Sequence, residues 1–367
     1  MINEEKLKIQ REAIEALRLN SFTGIVILPT GTGKTYVLIE ALKELYEKGM
    51  RVLYTCDSTR LRDNDFVEEL KKWGASEYID VIERQCYASA YKKNGEYYDV
   101  LLADEGDYAL SPEYSKLFFN NKFKHIIFVT ATLDTKKVSL AKKIAPVVYH
   151  KKLKEIEERK VVNKCQFVYV PFRLNDRENK RYVSYNKTFR NLLVQDRTSY
   201  ITKQLENLQI QRQHFLAGLE SSAYICKKLI NELHTGSKIL IFCGLTEQAD
   251  KICKWSYHAE NEENENLDKF EKGEIPALAV CGKVNRGVNL TGVNTVIIES
   301  PKRSETLMVQ RTGRGRRLDV DEILYVYLLI PYFQPEFGGV RATIVLDWVK
   351  DAAKEMGIEE AKTHIVK

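Results

Sequence analysis

None of the seven cysteines lies in a C-x-x-C pair, and the six histidines are scattered through the 367 residues. That absence excludes zinc-site spacing and a disulfide framework. Single cysteines inside apolar runs, such as Cys243, read as small core residues of a reducing compartment. No apolar run approaches the roughly 18 residues that a membrane helix needs. The opening MINEEKLKIQREAIEAL is a charged amphipathic helix, not a secretory signal. Internal repeats and low-complexity tracts are missing, and no PD-(D/E)xK spacing marks a nuclease. Twenty tyrosines are present, yet no aromatic stripe interleaves with basic residues as a base-stacking platform would. Strong net charge is missing too. Lys and Arg number 57 against 51 Asp and Glu, which leaves +6 and a pI near 8.7. A dedicated nucleic-acid clamp usually exceeds a pI of about 9. With 44% hydrophobic and 29% charged residues, the chain is neither disordered nor collagen-like. It reads as a soluble, cytoplasmic protein of two or three domains.

What is present is a pattern of strands and helices, stated twice. Residues 22–28 form a β-branched run, followed by PTGTGKT, a helical pattern from about 34 to 48, and a strand at 51–55. Further strands fit 98–103, ending in DEGD, and 125–130, ending in TAT. Strand, loop, helix, strand implies a parallel sheet covered by helices. In such sheets ligands bind beyond the carboxyl ends of the strands, so these polar clusters are expected to converge. The pattern resets with strands in 161–172, 238–243, 277–281, 295–300 and 323–330. The expected domains are 1–155, 156–335 and a helical extension at 336–367. A Lys/Glu-rich stretch at 150–160 is the expected hinge, and a helical segment is expected at about 173–234. Residues 173–214 hold nine Lys/Arg and four Asp/Glu, either a solvated helical face or a nucleic-acid contact surface. Residues 259–274 carry the opposite sign, with seven acidic and two basic side chains.

Three clusters carry chemistry. In Pro29–Thr35 the glycines let the backbone approach a phosphate, and a helix N-terminus holds the anion. Lys34 would reach the β- and γ-phosphates and the Thr35 hydroxyl would bind Mg²⁺. Leu28 stands where the strict eight-residue phosphate-loop pattern has Gly. Asp104 and Glu105 end an apolar strand, where one carboxylate can hold Mg²⁺ and the other can orient and deprotonate water. Finally, QRTGRGRR at 310–317 places four arginines within seven residues. It is either a solvated basic loop or RNA-binding patch, or a set of arginines that reach ATP across an interdomain cleft, making hydrolysis depend on closure.

In order and spacing, these clusters resemble the motifs of the superfamily 2 helicases, over about residues 7–330. PTGTGKT resembles motif I, DEGD motif II, TAT motif III, KILIFCG (238–244) motif IV, VNRGVNL (284–290) motif V and QRTGRGRR motif VI. The resemblance implies two tandem RecA-like α/β domains, each a mostly parallel sheet flanked by helices, with ATP and Mg²⁺ as cofactors. It implies that Thr30, Gly31, Thr32, Gly33, Lys34 and Thr35 hold the phosphates, with Thr35 and Asp104 on the metal. Glu105 would be the general base and Gln310 would place the water. Arg314 and Arg317 would be arginine fingers, Gly287 would sit near the γ-phosphate and Asn289 near the ribose. Asp107, Thr130 and Thr132 would couple ATP to nucleic acid. Gln10 would read adenine, unless it is one more glutamine on an exposed helix face. Ser58, Thr59 and Arg60 of a motif Ia-like stretch, with Gly244 and Lys283, would contact backbone phosphates, although Arg60 also suits a helix-face cation.

Several positions depart from the family's pattern. Cys281 and Gly282 replace the common Thr-Asp opening of motif V, Asn289 replaces its closing Asp, and Gly106 stands where Ala is usual. The Pro-x-x-x-Gln form of the Q-motif is missing. These features lean away from DEAD-box RNA helicases and towards DNA-directed members such as UvsW-type, restriction and repair translocases. The expectation is a monomeric motor on single-stranded or branched DNA, with RNA as an alternative and protein partners of a repair, recombination or restriction assembly. An ATP-gated clamp that remodels without unwinding is the rival. Residues 281–317 alone hold a net +6, so the remaining residues balance at 49 of each sign. Nucleic-acid binding must then rest on local surfaces, not on overall charge.

Overall fold

The computed structural model describes residues 3–196, 198–233, 236–261, 265–281, 292–300, 321–333, 342–343 and 353–355. The chain divides into two compact units between Asn163 and Lys164.

The first unit holds strands β1 (Gly24–Ile27), β2 (Val52–Cys56), β3 (Ile82–Cys86), β4 (Tyr97–Ala103), β5 (Lys122–Thr130) and β6 (Val147–His150). They form one sheet in the order β3-β2-β4-β5-β1-β6, and every pairing is parallel. All residues of β1 and β2 are buried, as expected of strands covered on both faces. Helices α1 (Glu4–Leu19), α2 (Lys34–Leu45), α3 (Phe66–Lys72), α4 (Tyr87–Ala90), α5 (Lys116–Asn120), α6 (Thr135–Ile144) and α7 (Leu153–Glu158) surround it. The Asn3 side chain caps α1 by accepting from Lys6 N at 3.0 Å. Ile9, Ala13 and Leu17, four residues apart, bury its inner face.

The stretch 150–160, expected as the hinge, packs as part of the first unit. Ile156 of α7 is buried in the core of the first unit together with Val161 and Val162. Three apolar side chains in a polar sequence were enough to dock it, and the expected division at 155/156 falls inside that helix.

The second unit holds β7 (Lys164–Arg173), β8 (Ile239–Cys243), β9 (Ser256–Tyr257), β10 (Ala277–Cys281), β11 (Thr295–Ile298), β12 (Ile323–Phe333), β13 (Ala342–Thr343) and β14 (Ala353–Glu355). The order is β14-β7-β12-β11-β8-β10-β9. Only the β12–β13 pairing is antiparallel among the described strands. Helices α8 (Asp176–Leu193), α9 (Ser199–Ala217), α10 (Glu220–Leu233), α11 (Thr246–Ile252) and α12 (Asn266–Glu271) accompany this sheet. The helical extension expected from 336 is not what its described residues show. Ala342–Thr343 pairs with the end of β12, and Ala353–Glu355 adds a parallel edge strand beside β7. An open sheet edge offers backbone partners, and these outweigh a weak local preference for helix. Among the described residues no helix is long and apolar enough to cross a membrane.

Candidate active site

The loop that leaves β1 turns twice through left-handed backbone, at Gly31 (φ 90°) and Gly33 (φ 85°). Gly33 is fixed twice over. A Cβ there would lie 2.2 Å from Gln10 Nε2, as well as sitting at a positive φ. Within the loop the Thr32 hydroxyl donates to the Pro29 carbonyl at 2.7 Å. Gly33 is also the N-cap of α2 and offers no side-chain oxygen to it. The first-turn N–H groups of this 12-residue helix are therefore left for an anion. Gln10 is buried at 2% exposure, not on a solvated face. Its amide donates to the Thr32 carbonyl at 2.8 Å, and its Oε1 is a buried acceptor with no partner among the described residues. The glutamine on α1 thus braces the loop from below.

Two strands away, β4 delivers Asp104 and Glu105. Asp104 is 4% exposed. Its Oδ1 accepts from the Glu105 N–H at 2.9 Å and its Oδ2 from the Tyr54 hydroxyl at 3.3 Å. Tyr87 donates to the Asp104 carbonyl at 2.8 Å. Tyr54 is held in turn by stacking on Phe66, with centroids 3.7 Å apart and planes at 6°. Burial and then the Glu105 charge push the Asp104 carboxyl well above the usual carboxylate range, while Lys34 pulls the other way. A buried carboxylate in that position needs positive charge nearby. The Asp104 carboxylate and the half-buried Thr35 hydroxyl in the first turn of α2 are oxygen donors of the type that a hard divalent cation takes.

Glu105 occupies left-handed backbone (φ 47°, ψ 46°). For a residue with a Cβ this conformation costs roughly 1–2 kcal/mol. The strain aims the carboxylate at the loop, with Glu105 Oε1 3.8 Å from Lys34 Nζ. Lys34 is 8% exposed and Glu105 21%. The pair lies at the mouth of the site, where charges are screened less than on an open surface.

Motifs II and III meet directly. The Thr130 hydroxyl at the end of β5 lies 2.9 Å from Asp107 Oδ1 and 2.8 Å from the Thr132 carbonyl. It has one proton, so it donates to one of them at a time. Asp107 is 4% exposed, and its backbone carbonyl accepts from Lys137 Nζ of α6 at 2.6 Å. The Thr132 hydroxyl is buried without a partner among the described residues.

The motif Ia stretch follows β2 and closes into a π-helical turn, Leu61–Asp65. Ser58 Oγ accepts from Leu61 N at 3.4 Å, Arg60 lies 3.8 Å from Asp65, and Thr59 is exposed. At the end of β8, Gly244 has a packing reason. A Cβ there would lie 2.5 Å from Ala217 Cβ at the end of α9. Lys283, Gly287, Asn289, Gln310, Arg314 and Arg317 lie outside the described residues. Sequence reasoning missed Tyr54, Tyr87 and Lys137. Each reaches the site through a polar tip on an otherwise ordinary element, and no local motif marks it.

A parallel sheet with a phosphate loop after β1 and an acidic pair after β4 defines a RecA-like nucleoside-triphosphatase unit, here followed by a second α/β unit. Residues 4–135 match the type III restriction enzyme res subunit family, and residues 222–319 match the helicase conserved C-terminal domain. The DNA 3'-5' translocase XPB2 of Sulfurisphaera tokodaii is 25% identical over 359 residues, spanning 87% of this chain and 80% of the relative. Two solved structures share the fold. Dbp5 of S. cerevisiae bound to RNA and ADP BeF3 has a TM-score of 0.64 at 12% identity, covering 98% of this chain and 92% of that one. The Hef helicase domain of Pyrococcus furiosus has a TM-score of 0.52 at 15% identity, covering 90% and 97%. The two family models, the translocase relative and the shared fold together support a superfamily 2 DExD/H helicase, a class of ATP-hydrolysing enzymes.

Proposed function

We propose that this helicase is an ATP-driven translocase acting on DNA, with Mg²⁺ as its metal. The observation that carries the catalytic half of this reading is the cluster of Lys34, Asp104 and Glu105 around an uncapped helix N-terminus. The N–H groups of the loop and Lys34 bind the phosphates. Asp104 and Thr35 hold the metal, which supplies neutralisation of the phosphate charge. Glu105 takes the proton of the attacking water. Gln310, Arg314 and Arg317 keep the roles that their motif implies. The lean to DNA rests on the XPB2 relative, matched along most of both chains. It also rests on the departures from the DEAD-box pattern. The likeness to RNA-bound Dbp5 keeps RNA as the reading to beat.

A panel of single-stranded, duplex and forked DNA and RNA tests this. DNA should stimulate ATP turnover more than RNA of the same sequence, and stimulation by RNA alone would overturn the DNA assignment. ATPase stimulation without displacement of any strand from forked substrates would point to a clamp instead.

The Thr130–Asp107 contact supports a coupling role for the two motifs. Thr130→Val keeps the side-chain shape and removes the donor. Nucleic-acid stimulation of turnover should fall roughly 5- to 150-fold, the usual span of a coupling free energy, with nucleotide affinity little changed. Thr130→Ser should restore it. Equal stimulation in the Val variant would remove Thr130 from the coupling path.

A further inference from the structure

The helical pair α8–α9 contributes little to the core that it accompanies. Of 18 residues in α8 only Glu178 and Tyr182 are buried, and of 19 in α9 only Ile201 and Ala217. A helix kept for packing normally buries a continuous apolar stripe. Yet the base of the pair is firmly attached. Asn175 and Glu178 form a capping box at the start of α8. The Glu178 carboxylate also accepts the N–H groups of Glu220 (2.6 Å) and Ser221 (3.2 Å) at the start of α10. Arg212 of α9 donates to the Tyr182 hydroxyl at 2.6 Å. A rigidly rooted, thinly packed projection is built to present a surface.

The face presented by α8 is basic. Arg177, Lys180, Arg181, Ser184, Lys187, Thr188 and Asn191 are all exposed, and they recur at helical spacing on the side away from Glu178 and Tyr182. The exposed acidic residue on α8 is Asp176, 3.9 Å from Arg173. Among the described residues no carboxylate pairs with Arg177, Lys180 or Lys187. Arg181 is pre-ordered, its guanidinium 5.0 Å from the Phe215 ring and 5.8 Å from that of Tyr185. From Arg177 to Asn191 the stripe runs roughly 21 Å at 1.5 Å per residue. That length spans about three consecutive phosphates on one strand. Some surface cations of the first unit are paired locally, as Arg18 with Glu44, Arg51 with Glu96 and Arg159 with Glu5 show. Unpaired cations in line, interspersed with Ser, Thr and Asn, are the chemistry of a sugar–phosphate backbone contact.

We infer that the exposed face of α8 is a second, sequence-independent nucleic-acid contact that tracks a phosphate backbone outside the helicase motifs. This rests on the nucleic-acid motor reading above. It explains how a chain that balances its charge elsewhere can hold a polyanion.

The test is a salt titration of binding, using the full chain and fluorescent 30-mers as a single strand and as the matching duplex. The variant is Arg177→Ala/Lys180→Ala/Lys187→Ala, which keeps helix propensity and leaves the stacked Arg181 in place. Affinity for one or both probes should fall roughly ten- to a hundredfold near 0.1 M salt. The slope of log K against log salt should shallow by about 2 for the single strand or about 3 for the duplex. The probe that shows the loss identifies the strand state that α8 tracks. Arg177→Lys, which keeps the charge, should keep the slope. Unchanged slopes on both probes in the triple variant would overturn the inference. So would weaker binding with an unchanged slope, or a changed far-ultraviolet circular dichroism spectrum with binding lost. If the unmodified protein binds neither probe, the motor reading fails along with it.

Discussion

Glu105→Gln should lower nucleic-acid-stimulated ATP turnover roughly 10²- to 10⁴-fold, the usual contribution of a positioned general base. The protein should stay folded. Gln keeps the length of the side chain and meets the same left-handed backbone, so the strain at φ 47° is unchanged. What goes is the negative charge 3.8 Å from Lys34 and the capacity to accept a proton. Lys34 is only 8% exposed, so loss of its partner leaves a largely buried cation and should lower stability by about 1–3 kcal/mol. ATP affinity should hold or rise, because a carboxylate no longer faces the phosphate charge. Steady-state ATPase assays with nucleotide-binding titrations separate the two effects, and turnover within threefold of the unmodified enzyme would remove Glu105 from the mechanism. A second variant checks that the strain belongs to catalysis. Glu105→Gly should be as inactive as the Gln variant, yet at least as stable as it, since glycine adopts this conformation without the Cβ penalty. A thermal stability of the Gly variant clearly below that of the Gln variant would mean that the side chain holds the turn together.

The sites legible in the sequence were those in which one short segment carries the whole device. PTGTGKT needs only its own glycines and the helix that follows. The strands beneath it, GIVI and VLYTC, are buried on both faces and so read as plain apolar runs. β3 was missed because its IERQC sequence is polar in the middle, where Arg84 and Gln85 are only partly buried. It is held by pairing with β2 in register from Val52 to Cys56, which no local signal announces. The second layer of the site escaped for a related reason. Tyr54 and Tyr87 reach Asp104 only after three separate segments have been folded together. The role of α7 was misjudged because Ile156 is a single apolar residue among Lys and Glu. Its burial depends on a surface built by α1 and the first sheet.

Gly106 is the departure from the motif II pattern that the structure explains, and it yields the second large expected effect. A Cβ on residue 106 would lie 2.5–2.7 Å from three ring carbons of Phe128. Phe128 is fully buried on β5 and backed by Phe118, with ring centroids 6.2 Å apart, so the ring has little room to retreat. Gly106→Ala should therefore destabilise the first unit by about 1–3 kcal/mol, as overpacked cores do. At roughly 2–4 °C per kcal/mol for a unit of this size, thermal unfolding would report it. The effect should be coupled to the ring. In a Phe128→Leu background, where the three contacting atoms are gone, the same substitution should cost at least 1 kcal/mol less, by the reasoning of a double-mutant cycle. Additive effects would show that the glycine serves the backbone and not the ring. Activity should fall further than stability requires. Residue 106 lies between Glu105 and Asp107, so any movement that relieves the clash displaces both the carboxylate facing Lys34 and the one facing Thr130. The aromatic ring on β5 thus dictates glycine in the acidic turn, and the two positions should vary together wherever this arrangement occurs.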